Sequence, residues 1–175
     1  MIEKRIRVYP DPVLRAAAQQ VEQIGPYIDT LIKQMFDIMK EEGGVGLAAV
    51  QIGVLKRVVV VSLEEKGFER LALVNPEIQS FSASTIEMEE GCLSLPGVNA
   101  VVERPSQVVV KARSRSGRLM EITASGLLAR VLQHEIDHLN GVLFIQRLHQ
   151  DEKQKIAEKT RALERQYASV RSTKS

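Results

Sequence analysis

Leu127-Leu128-Ala129-Arg130-Val131-Leu132-Gln133-His134-Glu135-Ile136-Asp137-His138-Leu139-Asn140-Gly141 is the stretch on which the fold turns. Leu127, Leu128, Val131, Leu132, Ile136 and Leu139 recur every three or four residues, and Asn140-Gly141 supplies a stop, so the spacing predicts a buried helix. Inside it lies the pattern H-E-x-x-H. His134 and His138 stand one turn apart and can reach one metal ion, with Glu135 projecting beside it as a proton acceptor and donor. Two imidazoles and a carboxylate buried without partners would cost several kcal/mol, roughly, and a metal removes that cost.

Working outward, Ile28, Leu31, Ile32, Met35, Phe36 and Met39 predict an amphipathic helix from Pro26 that ends at Gly43-Gly44. Residues 57–63 and 71–78 read as strands joined by a polar turn at 64–70, and 107–114 and 119–123 as a hairpin turning at Gly117. The two prolines at 10 and 12 predict an irregular segment over 9–14, wrapped on the surface. Residues 151–170, rich in Glu, Lys, Arg and Gln, predict an exposed helix followed by a frayed tail. The expected class is α+β: short antiparallel β-sheets packed around a central buried helix, with a C-terminal helix, residues 1–175 forming one domain.

Composition narrows the function. A 44% hydrophobic and 26% charged chain is globular rather than disordered, and a net charge of +2 does not by itself mark a nucleic-acid binder. No apolar run suits a secretory signal or a membrane span. The single cysteine, Cys92, forbids an intramolecular disulfide and points to a reducing cytoplasm.

Two histidines leave a tetrahedral site one protein ligand short if water takes the fourth position. Phe144 stands where the longer H-E-x-x-H-x-x-G-x-x-H pattern would place a third histidine. Cys92, in a Gly- and Pro-bounded segment (residues 90–96) that reads as a shaped loop or short strand, is either a small buried hydrophobe or that ligand; the histidine pair favours the ligand. Gly43-Gly44-Val45-Gly46-Leu47-Ala48-Ala49-Val50-Gln51 lacks the Lys-Ser/Thr of a phosphate loop, and its glycines suit a backbone that approaches a ligand closely. Gln51 would bring an amide donor there, although read alone it is more often an ordinary exposed or backbone-bonded glutamine.

Taken together, Gly44-x-Gly46-Leu47-Ala48-Ala49-x-Gln51, Glu90-Gly91-Cys92-Leu93-Ser94 and Gln133-His134-Glu135-x-Asp137-His138-Leu139-x-Gly141 resemble the three signature motifs of the peptide deformylases. The resemblance runs from Asp11-Pro12-Val13-Leu14 to about Arg147. It implies a metal-dependent hydrolase that removes the formyl group from the N-terminal formyl-methionine of nascent polypeptides and releases formate. Cys92, His134 and His138 would hold one divalent ion, natively Fe²⁺, with Zn²⁺, Ni²⁺ or Co²⁺ also compatible with mixed Cys/His ligation. Metal-bound water would attack the formyl carbon with Glu135 as general base and then acid. Gln51 through its side chain and Leu93 through its backbone N–H would stabilise the oxyanion.

By the same resemblance, backbone groups of Val45, Gly46 and Gly91 would pair with the substrate as an added strand, and Val45, Leu127 and Val131 would line a pocket for the methionine side chain; plain core packing is the alternative for these three. Glu90 and Arg104 correspond to an ion pair beside the site. Asn99 departs from some relatives, which carry a substrate-reaching arginine there. Asp137 is open between orienting a ligand imidazole and facing solvent, and His149 is assigned to the surface. The expected partners are N-formyl-methionyl nascent peptides and, through the basic C-terminal helix with Lys153, Lys155, Lys159, Arg161 and Arg165, the ribosome. The expected protein is a cytoplasmic monomer away from any membrane. Its rivals are another H-E-x-x-H hydrolase, such as a zinc aminopeptidase or small endopeptidase, and a non-catalytic ribosome-associated module. The intact Cys92, His134, His138, Glu135 and Gln51 set argues against the latter.

Overall fold

The computed structural model describes residues 5–63 and 70–172. The expected polar turn therefore lies, Arg70 apart, outside the described residues, as does the end of the tail. Helix α1 (Pro26–Glu41) starts at its proline and turns Ile28, Leu31, Ile32, Met35, Ile38 and Met39 inward. It stops where Gly43 takes φ +69° and the Gly44 N–H reaches the Met39 carbonyl at 2.8 Å.

Five strands, β1 (Gly46–Ala48), β2 (Val58–Val61), β3 (Leu71–Phe81), β6 (Gln107–Arg113) and β7 (Leu119–Ser125), form one antiparallel sheet in the order β1-β2-β3-β6-β7. Strand β2 is buried on both faces. Val59 and Val61 join the core around helix α2 (Gly126–Leu139), whereas Val58 and Val60 join the core under α1. An uninterrupted valine run is what a strand covered on both sides requires.

Strands β4 (Thr85–Cys92) and β5 (Leu95–Pro105) form a separate hairpin, so of the loop or short strand expected around Cys92 the structure shows the strand, at the tip of a pair. The inward positions of β5, Leu95, Val98, Ala100 and Val102, meet Leu143, Phe144 and Leu148 and two residues of helix α3 (Gln150–Ser172), Ile156 and Leu163. Helix α3 is thus exposed on most of its surface but anchored through one stripe. No helix of the described residues is long and apolar enough to cross a membrane.

The proline-rich start differs from expectation in two ways. Pro12–Arg15 makes one 3₁₀ turn, capped by the Asp11 carboxylate on the Val13 N–H at 3.0 Å, and Pro12 fits because its position needs no N–H donor. Leu14 is fully buried, so this segment belongs to the core rather than lying over it. It is also locked to the end of α2: the Ala18 N–H bonds the Leu139 carbonyl at 2.8 Å, and Gly141, at φ +72°, would drive any Cβ onto the Arg15 carbonyl oxygen. Gly141→Ala is therefore expected to cost about 2 kcal/mol or more, seen as a lower urea midpoint with unchanged slope.

Candidate metal centre and active site

Helix α2 and the tip of the β4–β5 hairpin bring the first set of predicted residues together. Ligating atoms of Cys92, His134 and His138 all lie within 4.8 Å of one another, with the Cys92 Sγ 3.2 Å from His138 Nε2. The two rings are 5.0 Å apart between centroids and inclined by 73°, as adjacent turns of one helix face produce. Phe144, itself buried, stacks on His134 at 6.0 Å between centroids.

The orienting group for His134 is Glu90. Its Oε2 lies 2.9 Å from His134 Nδ1, which leaves Nε2 of that ring for the site. Glu90 also receives Arg104 at both oxygens, 2.6 and 3.0 Å, and Arg130 Nη1 at 2.9 Å. Burial alone would raise the Glu90 pKa, but the hydrogen bonds and charges of His134 and Arg104 outweigh it and hold the group at about 2. Burial alone would lower His134, but the hydrogen bonds of Cys92 and then of Glu90 hold it well above the ordinary imidazole range. His138, buried without such a carboxylate partner and facing the His134 charge, is pushed well below that range, which keeps its ring neutral.

Asp137 does neither of the things sequence left open. It is buried, and it accepts from Arg104 Nη1 at 2.7 Å and from Arg147 Nη2 at 2.7 Å rather than from an imidazole. Arg104 thereby ties Glu90 to Asp137 and the hairpin to the helix.

Glu135 lines the cavity beside the donor group. Burial pushes its carboxyl up to about 7; the His134 charge pulls against this and the Glu90 charge adds to it. Its Oε2 is buried with no hydrogen-bond partner among the described residues, and so is His138 Nδ1. Gly46 of β1 lies directly against the carboxylate: a Cβ there would fall 2.5 Å from Glu135 Oε1 and 2.8 Å from Val131 Cγ1. Gln51, in the 3₁₀ turn Ala49–Ile52 after β1, is buried. Its Oε1 is fixed by the Ala48 N–H at 2.8 Å, which aims Nε2 at the Cys92 Sγ, 3.5 Å, and at the Ser94 Oγ, 3.3 Å.

These groups floor a cavity of about 480 Å³ walled by the glycine-rich segment before and into β1 on one side and the end of β4 on the other. Val45, Gly46, Gly91, Leu93, Leu127 and Val131 all line it. A thiol, two imidazole Nε2 atoms and a carboxylate oxygen without a partner make a donor set that fits a divalent metal and a water.

The sequence profile of the polypeptide deformylase family matches residues 3–154. The chain belongs to the polypeptide deformylase family. The peptide deformylase of Lachnoclostridium phytofermentans is 46% identical over 149 residues, which cover 85% of this chain and 91% of that relative. The peptide deformylase of Caldicellulosiruptor bescii is 47% identical over 148 residues, 85% of this chain and 87% of that relative. Among solved structures, a peptide deformylase of Arabidopsis thaliana in complex with an inhibitor superposes with a TM-score of 0.91 at 38% identity, covering 95% of this chain and 93% of that one. One from Legionella pneumophila gives 0.84 at 44% identity, over 94% and 96%.

As a polypeptide deformylase, the chain is a hydrolase that removes the N-formyl group from formyl-methionyl nascent peptides. The deformylase family is metal-dependent, and Cys92, His134 and His138 form the group able to hold the ion. Every residue expected at the deformylase site lies in or beside one cavity, with one refinement: the Val45 carbonyl already accepts from the Ser62 N–H at 2.9 Å, so only its N–H remains for a peptide. Sequence reasoning missed Arg130, Arg147 and Phe144. Arg130 carried a readable signal, a cation inside an apolar helix one turn before His134 and hence on the same face. His149 is exposed and pairs with Glu103 at 3.3 Å, as a surface residue should.

Proposed function

We propose that Cys92, His134 and His138 hold the metal, natively Fe²⁺, and that Glu135 moves the proton of the deformylation reaction while Gln51 and the Leu93 N–H receive the developing oxyanion. The observation that carries this reading is the convergence of the three ligand atoms within 4.8 Å, with the partnerless Glu135 oxygen and the Gln51 amide lining the same cavity. When bound, the metal supplies a Lewis acid and acidifies water. A cysteine ligand offsets part of its charge, which places more of the barrier on the protein's own donors.

Glu135 takes a proton from the attacking water and delivers it to the leaving amine nitrogen, so that the C–N bond breaks to formate and a free amine. Gln51 donates Nε2–H to the formyl oxygen as it becomes negative, exchanging its long contact to the Cys92 Sγ while the Ala48 N–H holds the other end of the amide. Gly46 and Gly91 pair with the peptide backbone, and the methionine side chain enters between Val45, Leu127 and Val131. Formate release from an N-formyl-methionyl peptide, assayed beside peptide-bond cleavage in the same anaerobic sample, tests the reading; cleavage without formate would restore the endopeptidase alternative.

Gln51→Ala is expected to lower kcat by about 10²- to 10³-fold with metal content retained. Parallel loss of metal and turnover would make Gln51 structural. The proposal extends to a cytoplasmic monomer that meets the nascent chain at the ribosome through α3. There Lys155, Arg161 and Arg165 are partly neutralised by Glu152 and Glu158 on the same helix, so the attraction depends on Lys153 and Lys159 as well. Because Ile156 and Leu163 of α3 are buried, exchange of Lys153 and Lys159 for glutamate tests docking more cleanly than truncation; unchanged co-sedimentation with ribosomes would count against it.

A further inference from the structure

We infer that Arg130 is a positioning residue of the metal centre: it delivers the Glu90 carboxylate to His134 and fixes the cysteine-bearing hairpin against the histidine-bearing helix. The inference rests on the ligand reading proposed above and adds a residue to it.

Arg130 is buried in α2 one turn before His134. Its guanidinium touches each part that has to be held in register. Nη1 donates to Glu90 Oε1 at 2.9 Å and to the Val102 carbonyl of β5 at 2.8 Å, and Nη2 donates to the Ile86 carbonyl of β4 at 2.6 Å. The carboxylate of Glu90 is consequently gripped from α2 at both ends, Oε1 by Arg130 and Oε2 by the His134 Nδ1–H one turn on. Arg104 reaches the same carboxylate from within the hairpin, since Glu90 and Arg104 both belong to it. Arg104 therefore sets the carboxylate relative to β4 and β5 and reaches α2 only at Asp137, beyond His134, whereas Arg130 grips the carboxylate from α2 itself, one turn before His134.

The consequence is geometric. Cys92 closes β4 two residues after Glu90, so a hairpin that slides or tilts on α2 moves the sulfur away from the imidazoles and turns the His134 ring at the same time. A carboxylate that orients a ligand imidazole is worth about 10- to 100-fold in metal affinity when lost, and Arg130 acts on that term through Glu90. A merely structural arginine would cost stability and leave the affinity of the folded protein alone.

The test uses Arg130→Met and Arg130→Lys in the full chain. Co²⁺ affinity is measured by chelator competition, the sulfur-to-Co²⁺ charge-transfer absorption is recorded, and the His134 Nδ1–H resonance is followed by NMR in the Zn²⁺-loaded protein. Arg130→Met is expected to weaken Co²⁺ binding about 10- to 100-fold, to move the Nδ1–H resonance upfield, and to lower kcat with little change in KM. Arg130→Lys, which keeps one donor head and avoids an unpaired carboxylate should the Met variant not fold, is expected to fall between. Co²⁺ affinity and the Nδ1–H resonance unchanged in a folded variant would overturn the inference. Cys92→Ala separates the two levels: persistence of the charge-transfer band in that variant sinks the ligand reading itself, whereas a band lost there with unaltered Arg130 variants sinks only the role of Arg130.

Discussion

Glu135→Gln is expected to lower kcat/KM for a formyl-methionyl peptide by about 10²- to 10⁴-fold while making the metal-free protein more stable, and the two effects have one cause. The carboxyl is buried against Gly46 with an oxygen that no group among the described residues satisfies, so ionising it is costly, and its pKa rises from an ordinary 4.5 to about 7. A folded-state pKa above the unfolded one means that the folded protein holds a proton the unfolded chain has released between pH 4.5 and 7. Stability therefore falls as pH rises through that window, by about 3 kcal/mol once pH exceeds 7. A glutamine removes the charge and the penalty together, and removes the proton carrier with them. Urea unfolding of the metal-free wild type and variant should give equal midpoints near pH 4.5 and diverge in favour of the variant above it, while formate release collapses. A variant that stays active, or one less stable at pH 8, would show that the Glu135 oxygen is a structural acceptor.

How far the sequence carries depended on what kind of group a segment buries. Helix α2 was legible because its apolar period and its stop agree, and β2 because a strand covered on both faces needs a continuous valine run. The ligand set was legible because H-E-x-x-H lies on an otherwise apolar helix and one cysteine remained to complete it. The β4–β5 hairpin was not. Its inward positions alternate as a half-buried strand should, but one on β4 is Glu90 and one on β5 is Arg104, so charge stands where the period-two pattern looks for apolar residues. Asp137 stayed open and Arg130 was passed over for the same reason: a cation or carboxylate read in isolation does not disclose its partner, and only the three-dimensional pairing shows that each meets its opposite charge in the interior. The 3₁₀ turn after Asp11 was missed because its prolines were read as breakers, when a proline in the first turn of a helix loses nothing.

Glu90→Gln should be the most damaging single change to the fold near the site, and it has the opposite pH signature to Glu135→Gln. The wild-type carboxylate meets Arg104, Arg130 and His134 in the interior, and the amide that replaces it carries no charge for two buried guanidinium groups. Removing one partner of a buried ion pair costs about 3–5 kcal/mol, because what remains is an uncompensated buried charge. The Glu90 pKa, held at about 2 against an ordinary 4.5, makes the same statement through protons: the unfolded chain binds a proton that the folded one refuses, so this stabilisation is fully present above pH 4.5 and is lost as pH falls toward 2. Of the two carboxylates, one therefore lifts the stability of the metal-free protein as pH rises to 4.5 and the other lowers it beyond, and their joint contribution peaks near that value. Subtracting the Glu90→Gln curve from wild type should leave a difference that grows between pH 2 and 4.5 and is flat above; subtracting Glu135→Gln should leave one flat below 4.5 and growing toward 7. Because Glu90 also fixes His134, its variant should lose metal about 10- to 100-fold more readily, whereas Glu135→Gln should not. A Glu90 variant that keeps both its acid stability and its metal would mean that Arg104 and Arg130 find other partners and that the carboxylate does not organise the centre.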